Sequence, residues 1–210
     1  MKKIILSAIF ISSLTIMATA QHVKLNVYGS YIFSDNVNTS YSSTSYANVN
    51  IKGGFQWGLG AEFMVQPQTG VELKYTHQGG TADVKYYADG EKSAVADFNT
   101  NYLLLDGNYY FHTGNSNVEP FLGGGLGAAF LYATNQTSGA TTNHTAFAWD
   151  LKGGVNIFFN EKVGVKLQAS LNSASKAVNG YYYYGYTTYS YVSMLQFGLG
   201  GGLVFKFGGK

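Results

Sequence analysis

The chain of 210 residues contains no cysteine, and only 11% of its residues are charged. Without cysteine no disulfide can hold the fold, and no thiolate can bind a metal. All 13 basic residues are lysine and the formal net charge is only +2, so the chain offers neither arginine forks nor a basic patch for nucleic acid. We therefore expect no nucleic-acid partner, no metal and no cofactor.

The N-terminus has the pattern of a secretory signal peptide. Lys2 and Lys3 precede a mostly apolar run over residues 4–17, and the small residues "ATA" follow at 18–20. The apolar run is too short for a membrane-spanning helix, which disfavours the alternative of a permanent anchor. We expect residues 1–20 to be removed after Ala20, and residues 21–210 to form the mature domain.

Apolar residues then alternate with polar or small ones along most of the chain. In "FQWGLGAEFMV", Phe55, Trp57 and Leu59 share one face, whereas Gln56, Gly58 and Glu62 share the other. A period of two predicts a strand with one apolar face. The same pattern predicts eight strands, at residues 23–33, 51–65, 71–79, 99–111, 118–132, 146–159, 163–172 and 191–207.

The connections between these strands alternate between long and short. "QPQTG", "HTGNSN" and "NEK" are tight, whereas segments such as "TADVKYYADGEKSAVADF" are long and polar. This alternation is typical of an up-and-down barrel in an outer membrane, with long loops outside the cell and short turns in the periplasm. The predicted fold is therefore all-β: an eight-stranded antiparallel transmembrane β-barrel with long extracellular loops, short periplasmic turns and both termini in the periplasm.

A soluble lipocalin or a β-sandwich would share the strand pattern but place the charges outside. The polar face carries too few charges, and too much glycine, to solvate an exterior, so we expect it to line a narrow lumen. Buried charges must be paired, and a small barrel brings facing strands within reach of each other. The predicted lumen charge network consists of Lys24, Lys52, Glu62, Glu72, Lys74, Asp106, Glu119, Asp150, Lys152, Lys166 and Lys206.

The chain resembles the small eight-stranded outer-membrane barrels of the OmpA/OmpX type. The resemblance rests on the leader, the alternating connections, and the strands "EPFLGGGLGAAF" and "MLQFGLGGGLVFKF". It implies a bacterial outer-membrane location, contact with outer-membrane lipid and lipopolysaccharide, and handling by periplasmic chaperones and the barrel-assembly machinery. Two departures from the family pattern are expected: no periplasmic domain after the barrel, and the residues "GGK" after Phe207, where the family's insertion signal usually ends on the aromatic residue.

Gly123, Gly125 and Ala128 have the spacing of a dinucleotide-binding fingerprint, G-x-G-x-x-G/A. That motif needs a helix that begins on its glycines, and "FLYATNQTSGATTNH" leads to a loop instead. We interpret Gly123, Gly125 and Gly127 as lumen-facing glycines that leave room for larger side chains on facing strands and ease the coiling of a small barrel.

The last long connection, "NGYYYYGYTTYSYV", is rich in tyrosine, a residue suited to recognition surfaces. The predicted recognition loop comprises Tyr181, Tyr182, Tyr183, Tyr184, Tyr186 and Tyr189; the simpler interpretation is a Tyr-rich hairpin that extends the last two strands. For catalysis, no G-x-S-x-G or H-x-S motif is present, and the best remaining pair is His77 with Asp83 or Glu72.

Three functions remain open at this stage. The favoured one is a non-enzymatic barrel for envelope integrity or for surface recognition of an unknown ligand. The alternatives are a narrow channel for ions or small apolar molecules, whose conductance would depend on Lys152 or Glu62, and a lipid-modifying barrel enzyme that would depend on His77. We predict no catalytic residues.

Overall fold

The structure, a computed structural model, describes residues 23–40, 46–87, 91–114, 117–136, 139–178, 182–183, 186–187 and 190–208. The predicted leader at residues 1–20 lies outside the described residues. So do Tyr181, Tyr184 and Tyr189 of the predicted recognition loop.

Strands make up nearly all of the described chain. In chain order they are β1 (Val23–Ile32), β2 (Asp35–Ser40), β3 (Tyr46–Ile51), β4 (Gly54–Gln66), β5 (Thr69–Tyr87), β6 (Glu91–Tyr110), β7 (Val118–Asn135), β8 (Thr141–Phe158), β9 (Val163–Val178), β10 (Tyr182–Tyr183), β11 (Tyr186–Thr187) and β12 (Ser190–Phe207). No helix among the described residues is long and apolar enough to cross a membrane.

Eight of these strands close into one antiparallel barrel, which confirms the predicted fold class. The ring runs β1, β4, β5, β6, β7, β8, β9 and β12, each strand paired with the next. The first and last strands then pair with each other, from Val23 opposite Phe207 to Ile32 opposite Gly198. Closure leaves the ring without a free edge, which is the condition for a sheet to span lipid.

The two ends of the barrel differ. The end with Val23 and Phe207, here called the turn end, has connections of few residues, at positions 67–68, 111–117 and 159–162. Within the second of these, Gly114 has a φ of +73°, a conformation that favours glycine. At the opposite end, here called the hairpin end, strand pairs continue beyond the ring, and β2 and β3 form a hairpin that pairs with the end of β5.

The predicted loops at the hairpin end are therefore mostly strand. The expected strands at 71–79 and 99–111 extend to Tyr87 in β5 and start at Glu91 in β6. The pairing continues without a break from Gly79 opposite Asn99 to Tyr87 opposite Glu91. Polar composition suggested a loop, but Thr, Val and Tyr are good strand formers, and two such segments satisfy each other's backbone.

The two faces of the barrel have opposite polarity. Large apolar side chains such as Leu59, Leu126 and Phe159 are more than half exposed on the outside, whereas Glu62, Glu72 and Asp106 are at most 1% exposed inside. The exterior also carries exposed aromatic side chains, among them Trp57, Tyr109, Phe111, Phe159 and Phe207. A lipocalin would have the reverse arrangement, so the polarity excludes that alternative.

Candidate functional site

Most of the interior charges lie along one row of cross-strand partners. The row starts at the turn end on β1 and runs around the barrel from strand to strand: Lys24, Glu62, Glu72, Asp106, Gly125, Asp150, Asn172 and Gln196. Strands of a closed barrel are tilted, so such a row climbs as it goes around. The charges are therefore spread over several levels of the lumen rather than gathered in one ring.

Five residues form the central ion-pair cluster: Glu72, Lys74, Asp106, Asp150 and Lys152. The Lys152 Nζ atom lies 2.6 Å from Glu72 Oε2 and 2.5 Å from Asp106 Oδ2. The Lys74 Nζ atom lies 2.9 Å from Asp106 Oδ2 and also pairs with Asp150. Because these side chains are almost fully buried, each charge depends on its partners rather than on water.

Glu62 and Glu72 are direct cross-strand neighbours, an arrangement of like charges that is unfavourable on its own. Two amides lie between them. The Asn26 Nδ2 atom is 2.9 Å from Glu72 Oε1 and 3.5 Å from Glu62 Oε2, and Asn108 Nδ2 is 3.0 Å from Glu62 Oε1 and 3.2 Å from Glu72 Oε2. The Tyr110 hydroxyl donates to Glu62 at 2.7 Å, and the Tyr28 hydroxyl donates to Glu72. Neutral donors thus stabilise both carboxylates.

A second group, the mouth clamp, sits at the turn end and consists of Lys24, Glu119 and Lys206. Lys24 and Lys206 are direct partners across the seam between β1 and β12. Glu119 accepts from both, with 3.0 Å to Lys24 Nζ and 2.6 Å to Lys206 Nζ. The two ammonium groups also lie over rings, Lys24 over Tyr110 at 3.5 Å and Lys206 over Phe158 at 3.6 Å. One carboxylate from β7 therefore neutralises part of a like-charge pair at the closing seam.

Glycines make room for these polar side chains. A Cβ atom at Gly125 would collide with the Asp106 carboxylate, and one at Gly123 would collide with the Asn108 amide. Gly60 and Gly70 stand in the same relation to Glu72 and Glu62. The fingerprint-like glycines of β7 therefore leave room for side chains of the adjacent strand, as the barrel interpretation predicts, and β7 continues as a strand to Asn135.

Toward the hairpin end the lumen becomes apolar. The apolar lumen cluster comprises Ile51, Tyr102, Leu104, Ala129, Ala146, Ala148, Ala174 and Met194. Tyr102 and Leu104 precede Asp106 on β6, which runs toward the turn end, so this cluster lies beyond the central ion-pair cluster. The interior is therefore filled by side chains along its length, as the narrow bore of an eight-stranded barrel allows.

The predicted lumen charge network divides into three groups in the structure. Eight members are buried: Lys24, Glu62, Glu72, Lys74, Asp106, Asp150, Lys152 and Lys166. Glu119 and Lys206 are partly exposed at the turn end. Lys52 does not belong to the network, because the chain leaves the sheet at residues 52–53 and Lys52 pairs on the surface with Asp83 at 3.1 Å. The prediction for Lys52 was wrong because it assumed one unbroken strand over 51–65.

The catalytic candidate His77 lies apart from Glu72. It alternates with the lumen-facing residues of β5, and its ring packs 5.6 Å from the Trp57 ring on the outer face. The His77 Nδ1 atom is 2.8 Å from Asn101 Oδ1, whereas Asp83 pairs with Lys52. No group of three metal-ligating His, Asp or Glu side chains occurs among the described residues.

The tyrosine-rich segment contains a short hairpin. Tyr182 pairs with Thr187, and Tyr183 pairs with Tyr186.

Two features of the lumen were not identified from the sequence: the donors Asn26, Tyr28, Asn108 and Tyr110, and the apolar lumen cluster. The donors have the strand parity of Lys24 or Asp106, so alternation could have located them, but their choice of partners depends on how the strands are staggered.

A family model described as "Outer membrane protein beta-barrel domain" matches residues 6–205. The chain belongs to this family. Membership agrees with the closed barrel and its apolar exterior, and it places the protein in the bacterial outer membrane. A comparison with curated proteins gave no match.

Solved structures with the same fold include a protease as well as proteins that are described only by their location. The chain is 17% identical to the outer membrane protein OprG from Pseudomonas aeruginosa, with a TM-score of 0.59 over 90% of this chain and 97% of that one. It is 18% identical to Neisserial surface protein A, with a TM-score of 0.55 and coverage of 88% and 97%. The outer membrane protease OmpT from Escherichia coli is 8% identical, with a TM-score of 0.52 and coverage of 90% and 98%. The fold alone therefore does not decide between a binding, channel or enzymatic role.

Proposed function

We propose that this outer-membrane barrel is non-enzymatic, and that it supports envelope integrity and presents a recognition surface at its hairpin end. The observation that carries the proposal is the filled lumen. The mouth clamp, the central ion-pair cluster and the apolar lumen cluster succeed one another from the turn end to the hairpin end. Conduction would require several buried ion pairs to separate, which is costly when no water replaces the lost partner.

The hairpin end supplies the proposed recognition surface. It carries the polar β2–β3 hairpin and the tyrosine hairpin β10–β11. Tyrosine offers a rigid, amphipathic contact area with a hydroxyl group, and Ser and Asn add hydrogen bonds. The chemistry fits carbohydrate or protein at a cell surface, and lipopolysaccharide or a neighbouring cell is the proposed partner.

Planar-bilayer recordings test the filled lumen. The purified barrel should insert without a sustained conductance. A variant in which Tyr102 and Leu104 of the apolar lumen cluster and Lys152 of the central ion-pair cluster are all replaced by alanine provides a positive control, because it removes bulk at two levels. Reproducible conductance by the unaltered protein would overturn the proposal in favour of a channel.

Cell assays test the surface role. Cells that express the chain should settle faster than cells without it, and should bind more strongly to a lipopolysaccharide-coated surface. Deletion of residues 181–189 should remove both effects while the folded barrel still migrates as a compact species on unboiled gels. Equal binding by the deletion variant would contradict the recognition role of this segment.

For the envelope role, loss of the chain should increase uptake of a detergent or dye.

Lipid analysis tests the enzymatic alternative. The acylation pattern of lipid A should be the same with and without expression of the chain. A change that disappears in His77→Ala would overturn the non-enzymatic assignment, whereas Trp57→Phe provides a control that keeps an aromatic ring beside residue 77.

Export and insertion complete the proposal. The leader is proposed to be cleaved after Ala20, and the chain to reach the membrane through periplasmic chaperones and the barrel-assembly machinery. N-terminal sequencing of protein recovered from outer membranes should start at Gln21; a retained Met1 would contradict cleavage.

A further inference from the structure

Lys166 on β9 is a buried lysine that forms no ion pair with any of the described residues. It is 1% exposed, and its Nζ atom has no hydrogen-bond partner among the described residues. The Nζ atom lies 4.6 Å from the centre of the Phe121 ring and 5.4 Å from that of the Tyr28 ring. Contacts with ring faces attract a cation but accept none of its N–H bonds in the way an anion or a carbonyl does.

Asn156 lies beside Lys166 and also lacks hydrogen-bond partners among the described residues. It stands directly opposite Lys166 across the pair β8–β9, and its side chain is fully buried. Neither Oδ1 nor Nδ2 of Asn156 has a partner among the described residues. Because buried polar groups are usually hydrogen-bonded, the Nζ atom of Lys166 and the side-chain amide of Asn156 together provide hydrogen-bonding groups that a small polar species can satisfy.

The nearest carboxylates are already occupied. The charged groups near Lys166 include Glu72, Lys152, Glu62 and Lys24. Both oxygens of Glu62 accept from Tyr110, and they also accept from Asn108 and Asn26. The Glu72 oxygens accept from four donors: Asn26, Tyr28, Asn108 and Lys152. Lys24, Lys74, Lys152 and Lys206 each contact a carboxylate, so Lys166 is the lumen lysine of the described residues whose ammonium contacts none.

We propose that Lys166 and Asn156 bind a small monovalent anion of the chloride class inside the barrel. The ammonium group and the Asn156 Nδ2 group donate to the ion, and the rings of Phe121 and Tyr28 restrict its size. The ion enters from the turn end, where the mouth clamp holds two lysines against one glutamate, and where the side chains of Glu119 and Lys206 are 23% and 28% exposed. The site is independent of the proposed surface role.

Bromide provides a direct probe, because it replaces chloride and scatters X-rays anomalously. Crystals of the full barrel grown in sodium bromide should show an anomalous peak within hydrogen-bond distance of Lys166 Nζ and Asn156 Nδ2. A peak only at surface lysines would overturn the proposal. So would a map in which Lys166 has moved onto Glu62 or bonds only to water.

Solution stability provides the second measurement. The folded barrel is unfolded with urea in lipid vesicles, once in sodium chloride and once in sodium gluconate at equal ionic strength. Binding to the folded state alone raises the folded-to-unfolded ratio about tenfold when chloride exceeds its Kd about tenfold. Equal stability in both salts would reduce any bromide peak to binding at crystal concentration only, and would overturn the proposal.

Two lysine variants make the solution test specific. Lys166→Met keeps the length of the side chain and should abolish the difference between the salts. Lys162→Met removes an equal charge from an exposed turn at the start of β9 and should retain the difference. If Lys166→Met also kept the full chloride effect, the ion would bind elsewhere and the proposal would be wrong. If Lys166→Met does not fold, Asn156→Leu replaces it, because this variant removes the second donor to the ion.

Discussion

The two parts of the lumen are stabilised in different ways. The central ion-pair cluster consists of five charged residues with specific partners, including Lys152 at 2.6 Å from Glu72 and at 2.5 Å from Asp106. The apolar lumen cluster consists of alanines around a few large side chains, Leu104 and Met194 among them. Charges inside a barrel need particular partners, whereas apolar side chains need only fill volume.

One barrel can therefore tolerate substitutions at one level of its lumen and not at another. In the charged part, Gly125 is needed because the carboxylate of Asp106 occupies the space that a Cβ atom at residue 125 would take. In the apolar part, four alanines on three strands pack in one cluster without directional bonds. Substitutions in the charged part should therefore reduce folding stability more than substitutions in the apolar part.

Lys152→Met should cause the largest loss of stability. It removes the only ammonium that contacts both Glu72 and Asp106 among the described residues, and leaves buried carboxylates short of a counterion. Breaking one side of a buried ion pair costs about 3–5 kcal/mol. Urea unfolding in vesicles, followed by gel mobility of unboiled samples, measures the change. Lys162→Met in the exposed turn is the control and should leave the midpoint unchanged; equal effects would show that the interior pairs contribute nothing.

Removal of a tyrosine hydroxyl should have opposite effects in the two parts of the lumen. Tyr28→Phe removes a donor to Glu72 and should cost about 1.5–3 kcal/mol, the range for a hydrogen bond to a charged group. The Tyr102 hydroxyl in the apolar lumen cluster is buried and has no partner among the described residues, so Tyr102→Phe should leave stability equal or higher. The same unfolding titration compares the two, and destabilisation of equal size would remove the distinction.

Gly125→Ala should lower stability by about 1–3 kcal/mol, as overpacking of a tight interior does. The new methyl group would push the Asp106 carboxylate away from Lys74 and Lys152. Gly107→Ala on the paired strand is the matched control, because a Cβ atom there meets nothing within 4 Å. If both variants unfold at the same urea concentration, the close approach of Asp106 to Gly125 does not affect the free energy of unfolding.

The fold could be predicted from the sequence because it rests on a local signal. Alternation along each strand separates Trp57 and Leu59 from Gln56 and Glu62, and the tight turns order the strands. The polar segments at the hairpin end were misassigned as loops because composition does not show that two such segments continue each other's pairing, as residues 79–87 and 91–99 do.

The site could be predicted only as a set of residues. Alternation placed Lys24, Glu119 and Lys206 on one face, but nothing local shows that Glu119 reaches across the lumen to two lysines on the closing seam. Lys152 and Glu72 are 80 positions apart in sequence, and their contact depends on the stagger of the whole ring. Asn26 and Asn108 were missed because a neutral amide becomes informative only once its carboxylate neighbours are known.

Glu62→Gln should have the smallest effect, within about 1 kcal/mol of the unaltered protein, a typical net value for one hydrogen bond. Although Glu62 is fully buried, its hydrogen-bond partners among the described residues are Tyr110, Asn108 and Asn26, all neutral. The amide keeps an acceptor for Asn108, the Tyr110 hydroxyl can reverse to accept, and the like-charge pair with Glu72 disappears.

Glu72→Gln is the matched comparison, because the two carboxylates are cross-strand neighbours and differ chiefly in that Glu72 also contacts Lys152. Its loss of stability should exceed that of Glu62→Gln in the same urea titration. A loss for Glu62→Gln as large as that for Lys152→Met would mean that Glu62 has an ionic partner in solution. The buried lysine without a counterion, Lys166, is then the residue that must have moved to it, and the anion would have no site.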